Sequence, residues 1–184
     1  MHRKKLLALL ERYRKQNPEE NEVIDRFIHF ISAHPDCFEL SLQEGHITGS
    51  AWVVDRSGAR VLLTHHRRLN KWVQLGGHTD GDSDVGAAAL REAKEESGIE
   101  GIEPLSNSIF DIDLHSIPAR GDEPAHYHYD VRFAFTVTDS EDYTVSDESH
   151  DLAWVEIETI AEYTSEESML RMGRKWVKKQ NKEE

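Results

Sequence analysis

The sequence predicts an α+β fold in which a helical hairpin precedes a mixed β-sheet carrying further helices. Apolar residues recur at helical spacing over the first 35 positions, the period shifts toward two from about residue 47, and an Ala-rich helical segment interrupts the strand-like stretches. With 184 residues the chain has the length of about one domain, and no repeat or linker divides it. Residues 1–45 read as a helical extension packed on the same domain, and residues 46–184 as the domain proper.

Leu6, Leu7, Leu10 and Tyr13 define the first helix, which stops near Asn17 and Pro18. Asn17 is expected to cap a second helix and Pro18 to occupy its first turn. Val23, Ile24, Phe27, Ile28 and Ile31 form the apolar side of that helix until Pro35 ends it. Residues 47–55 and 60–64 are rich in β-branched and aliphatic side chains and flank the turn signal Arg56-Ser57-Gly58, which makes a hairpin. An extended piece at 71–75 runs into Gly76-Gly77, and a polar loop then leads to a helix over 84–97 that Gly98 ends. Strands are expected at 106–117, 127–138 and 152–155. In the second of these, Tyr127, Tyr129, Val131, Phe133 and Phe135 alternate with His128, Asp130, Arg132 and Ala134, so one face is core and the other wet or functional. Thr164-Ser165-Glu166-Glu167 is a capping box for a last helix carrying Met169, Met172 and Trp176.

Composition excludes several classes. Lysine plus arginine number 22 against 35 acidic residues, a net charge of −13, and no basic block offers a surface for nonspecific nucleic acid binding. No apolar run approaches the roughly 20 residues of a membrane span. The Leu-Leu-Ala-Leu-Leu stretch near the N-terminus imitates a secretory signal but halts at Glu11 without a small-residue cleavage site. The one cysteine, Cys37, forms no internal disulfide and no cysteine zinc site, which suits a reducing interior, and the cytoplasm is the expected location. If the ligand is a phosphate, a chain this acidic needs cations between itself and the anion.

The segment 76–99, GGHTDGDSDVGAAALREAKEESGI, carries the chemistry. On a helix Glu92, Glu95 and Glu96 fall within an arc of roughly 100°. Like charges so placed cost a helix about 0.2–0.5 kcal/mol each, and a cation reverses the sign. Hard oxygen donors suit Mg²⁺ or Mn²⁺. A bare E-x-x-E-E is common on solvated faces; here the glycine pair, the loop, Arg91 and Gly98 give it context.

That context resembles the signature of the Nudix hydrolases, G-x5-E-x7-R-E-U-x-E-E-x-G-U with U aliphatic. Gly77, Arg91, Glu92, Glu95, Glu96, Gly98 and Ile99 match in register. Ala93 is smaller than the usual aliphatic residue, and Ser83 stands where the family has its first glutamate, which often supports the helix arginine; Asp82 or Asp84 is a nearby substitute. The resemblance implies an α/β/α sandwich and metal-dependent hydrolysis of a diphosphate bond in a nucleoside diphosphate linked to another moiety. It also implies metal ligands at Glu92, Glu95, Glu96 and the Gly77 carbonyl, with Arg91 holding the carboxylates. The general base is Glu95 or Glu96 within the signature, or Glu123 or Glu148 outside it. Ser83 keeps a second class open, a noncatalytic Nudix-fold module that binds a nucleotide. The prenyl diphosphate isomerase branch of the fold relies on an active-site cysteine, and Cys37 lies before the first strand.

Competing motifs fail. Asp80, Asp82 and Asp84 occupy the first, third and fifth places of an EF-hand loop, but Val85 replaces its glycine and Arg91 its final glutamate. Gly76-Gly77 is followed by no Gly-Lys-Ser/Thr, which removes a P-loop. His126 and His128 share a strand face with Asp130, and His65, His66 and His78 flank the glycine pair. A histidine–carboxylate metal centre there lacks a recognisable ligand spacing, and polar residues on a half-wet sheet face are the simpler reading. His78, Arg67 and Lys71 are assigned to substrate binding, with Arg68 beside them. Trp72, Tyr127 and Tyr129 have the chemistry to stack on a base but are read as core. The helical hairpin is expected either to pack on the domain or to serve as a surface for a homodimer.

Overall fold

Leu6, Leu9, Leu10 and Tyr13 lie at helical intervals, and burying them gives helix α1 (Lys4–Gln16) its inner side. Helix α2 (Asn21–Ala33) buries Ile24, Phe27, Phe30 and Ile31 in the same way. The computed structural model describes residues 2–121 and 124–183. Asn17 does not cap α2 as expected: its side-chain amide donates to the Tyr13 carbonyl at 3.1 Å and closes α1, while Pro18–Glu20 forms a 3₁₀ turn before α2 begins.

The strands are β1 (Gly45–Val54), β2 (Arg60–His66), β3 (Lys71–His78), β4 (Ile102–Pro104), β5 (Asp111–Ile117), β6 (His126–Val137) and β7 (Ser149–Glu156). Helix α3 (Val85–Ser97) follows β3, and a 3₁₀ stretch (Ile157–Glu162) and helix α4 (Glu167–Glu183) follow β7. The sheet runs β4-β6-β1-β3-β2-β7, with β5 on β6. The α+β class is the one expected from the sequence.

Two compact units divide the residues: one holds those up to Ser50, Gly76–Ala89 and Ser106–Phe133, the other Ala51–Leu75, Leu90–Leu105 and the residues from Ala134 onward. In the first, β5 pairs antiparallel with β6 from Asp111↔Arg132 to Ile117↔His126. Phe27 and Phe30 of α2 meet Tyr129 of β6, the second in a stacked pair with ring centroids 3.9 Å apart. In the second unit β2 pairs antiparallel with the end of β1, with β3 and with β7. There α4 buries Met169, Met172 and Trp176, and the Trp176 indole N–H donates to the Gly58 carbonyl at 2.8 Å, locking the helix to the β1–β2 turn.

Several expectations need correction. β1 starts at Gly45, so His46 is inside the strand. The strand expected from 106 starts at Asp111, and Ile102–Pro104, too short to show a period, forms β4 against β6. β7 starts at Ser149 because pairing with β2 extends it beyond its apolar centre. Thr164 accepts the Glu166 N–H at 3.3 Å, one residue short of the capping-box geometry. On β6 the second face is not wet: Asp130 and Arg132 are buried alongside Val131 and Phe133, because ion pairs satisfy them. Tyr127, expected in the core, is 44% exposed, and Trp72 is half-buried, its ring stacked on His65 and edge-on to Tyr163.

Candidate active site

Gly76 is required by close approach. A Cβ there would sit 2.5 Å from the Ser50 Cα and 2.6 Å from the Gly49 carbonyl oxygen, and the residue's φ of 142° disfavours any side chain. The chain then turns on Thr79, whose hydroxyl donates to the Phe38 carbonyl at 3.0 Å. Asp82 accepts the Asp84 N–H at 2.8 Å. Asp84 caps α3, accepting the Ala87 N–H at 3.4 Å, while its other carboxylate oxygen pairs with Lys5 at 2.6 Å. Asp82 and Asp84, the candidate replacements for the glutamate missing at Ser83, are thus engaged in shaping the loop and the helix start.

Further along α3, Ala93 is fully buried, so a small residue suits its place. Gly98, at φ 69°, ends the helix in the left-handed region and its N–H reaches the Lys94 carbonyl at 2.8 Å. Arg91 lies 2.6 Å from Glu92 and 3.5 Å from Glu95. Glu95 is 62% exposed, Glu92 16%, and Glu96 7%. The oxygen donors are therefore three carboxylates on successive turns, graded from open to buried, with the Arg91 guanidinium paired to two of them. Hard oxygen donors of this kind fit Mg²⁺ or Mn²⁺.

Gly77 is the penultimate residue of β3. Arg67 donates from Nε to the Ser149 carbonyl at 2.7 Å, and its own N–H reaches the Glu148 carbonyl. Lys71 pairs with Glu166 at 2.6 Å on an exposed surface. Glu148 is exposed, and its charge opposes the burial that lowers the pKa of His66. Glu123 lies outside the described residues.

The histidines separate into two places. His65 stacks on Trp72, and His66 accepts the N–H groups of Arg68 and Leu69. His78, His126 and His128 instead gather around His46, with ring centroids 4.8–5.1 Å from it. Asp130 is taken up by Arg132, Thr48 and Ser50, so the group is a histidine cluster and not the histidine–carboxylate centre considered from the sequence. His46 carries one signal in the sequence, its place directly ahead of the β-branched run.

Residues 45–176 match the model of the NUDIX domain. The chain belongs to the Nudix hydrolase family. The matched stretch contains the whole signature segment from Gly77 to Ile99, with Ser83 in place of the first glutamate, and begins at the first residue of β1. No curated protein matches the sequence. Solved structures similar to the Nudix chain include MutT protein from Methanosarcina mazei, at 18% identity and TM-score 0.55 over 76% of this chain and 97% of that one. Another is the dihydroneopterin triphosphate pyrophosphohydrolase of E. coli, at 14% identity and TM-score 0.53 over 70% and 92%. A third is the Ap4A hydrolase of C. elegans, at 20% identity and TM-score 0.51 over 71% and 94%. These likenesses establish the Nudix fold.

Proposed function

We propose that this Nudix protein hydrolyses a diphosphate bond in a nucleoside diphosphate linked to another moiety, with Mg²⁺ or Mn²⁺ held by Glu92, Glu95 and Glu96. The observation that carries this reading is the Arg91 contact with two of the three carboxylates in the register of the signature. The Gly77 carbonyl joins the ligand set on that same register. When bound, the metal would neutralise phosphate oxygens and lower the pKa of an attacking water. Arg91 restrains Glu92 and Glu95 so that their charges face one way despite mutual repulsion. Glu95, the most exposed of the three, would take the proton of an incoming water in this reading, with Glu96 the alternative base inside the helix.

Arg67 and Lys71 serve as phosphate contacts, Arg67 anchored through Nε and Lys71 exchanging Glu166 for substrate, and His78 is a further substrate contact. Three solved relatives of the fold act, by name, on a dinucleoside tetraphosphate, on a pterin triphosphate or as MutT; the nucleotide class is the part of that range adopted for this chain. Residues 1–45 are read as an extension of the same domain, supported by Phe27 and Phe30 on Tyr129. Among the described residues no helix is long and apolar enough to cross a membrane, and a cytoplasmic location is proposed with the lone cysteine in support.

The test is Mg²⁺-dependent turnover across a panel of nucleoside diphosphate derivatives, with both products identified by mass. Glu95→Gln and Glu96→Gln should each lower kcat about a hundredfold or more while leaving circular dichroism unchanged. Silence across the panel in folded, magnesium-loaded protein that still binds a nucleotide would favour the noncatalytic module instead.

A further inference from the structure

Three adjacent strands each bring one histidine to a common spot. In the sheet order β6, β1 and β3 are neighbours, and they carry His128, His46 and His78 respectively. One ligand-capable atom from each histidine lies within 4.8 Å of the other two. The middle residue, His46, is 2% exposed, and neither of its ring nitrogens has a hydrogen-bond partner. A buried polar group left in that state costs about 1–3 kcal/mol. A metal ion would satisfy one of the two nitrogens, because an imidazole lone pair is its ligand.

We infer that His46, His78 and His128 form a binding site for a divalent transition-metal ion of the zinc type. Imidazole suits zinc, copper and nickel, whereas magnesium takes oxygen ligands, so this trio and the carboxylates of α3 select different ions. Tetrahedral zinc, with Zn–N near 2.0–2.1 Å, needs nitrogens about 3.4 Å apart, so the three would draw in from the 4.8 Å within which they now lie. Three protein ligands leave a fourth position for a water or another oxygen donor.

The surroundings prepare the rings for this role. His126 Nδ1 lies 2.9 Å from the Pro124 carbonyl, which only accepts, so Nδ1 carries the hydrogen. In the neutral ring Nε2 is then the acceptor, and it takes the Nε2–H of His128 at 3.2 Å. His128 keeps its lone pair on Nδ1, oriented by a relay of the kind that fixes metal-ligating histidines. Burial first, and the neighbouring imidazoles second, hold His46 at a pKa of about 4 and His128 at about 2, the neutral form that metals bind. Beyond His128, His115 completes the shell and is itself 3.1 Å from Asp113.

This inference uses none of the signature carboxylates, and shares with the proposed hydrolysis only His78, there a substrate contact. The test is titration of the EDTA-treated full chain with Zn²⁺ against a chromophoric chelator in excess Mg²⁺, alongside the visible spectrum after Co²⁺ substitution. A single tight equivalent is expected, with the intense absorption of four-coordinate cobalt. His78→Ala and His128→Ala should each weaken uptake about a hundredfold or more, since even outer-sphere partners of metal ligands cost roughly 10- to 100-fold. Exposed His150→Ala should change nothing. His46→Ala should match the other two; if it fails to fold, His78→Ala, at a half-buried position, decides. Undiminished zinc binding in both His78→Ala and His128→Ala, or no tight uptake by the parent, overturns the site. Glu95→Gln and Glu96→Gln should retain zinc, so a failed hydrolysis assay with zinc uptake intact sinks only the proposed activity.

Discussion

Strand β6 carries two buried polar groups that differ in how they are completed. At one, Arg132 donates to Asp130 at 2.7 Å and to Asp111 at 3.1 Å, and Asp130 also accepts from Thr48 and Ser50 at 2.9 and 2.8 Å. Burial would lower the Arg132 pKa, but the carboxylates of Asp130, Asp111 and Asp113 outweigh it and raise it. At the other, His126 and His128 face His46, whose nitrogens meet nothing that donates or accepts. Arg132 and His46, the centres of the two, are each 2% exposed. The difference is that the arginine network is closed by protein atoms, which marks a structural element, whereas the histidine group is open and marks a place for a ligand.

The largest effect that sharpens this contrast is removal of the guanidinium. Arg132→Met leaves three carboxylates without their common cation and should cost about 3–5 kcal/mol in urea unfolding. A loss below about 1 kcal/mol would show that the network is not the closed unit described.

Acid comes next. His46 and His128 are neutral in the fold, with pKa values below the usual 6.5, so the unfolded chain binds more protons as pH falls. Stability of metal-free protein should be intact above pH 6.5 and decline as pH drops from there toward 4, at no more than about 2.7 kcal/mol per pH unit for two protons. A flat profile across that window would contradict neutral histidines.

A smaller change is expected from His46→Leu in metal-free protein. It removes an unsatisfied buried ring at a similar volume, so stability should stay within about 1 kcal/mol of the parent or rise. The opposite result, a loss like that at Arg132, would mean the ring is already satisfied. Smallest of all, burial raises the Cys37 thiol to about 11, so Ellman's reagent should find no thiol at pH 8 until the chain is unfolded.

The proposed α3 site is legible in the sequence because its parts are local. Gly77 lies on a strand end and Arg91, Glu92, Glu95 and Glu96 on one helix, so spacing alone orders them. His46, His78 and His128 come together only when β6, β1 and β3 become neighbours, and no periodicity reports strand pairing. Asp130 and Arg132 misled for a related reason: an alternating polar residue signals a wet face unless partners from β5 and β1 arrive to cover it. Asn17 was ambiguous because one amide at a helix junction serves either helix, and here it serves the one before it.

The family match opens at residue 45, yet the aromatic ring of Tyr129 rests on Phe30, and Lys5 grips the aspartate that starts α3. Trimming the polypeptide to its recognisable portion would strip a lid from an oily patch and loosen the first turn of the glutamate helix. Aggregation during expression of such a shortened form would be the outward sign that the opening hairpin is a built-in shield.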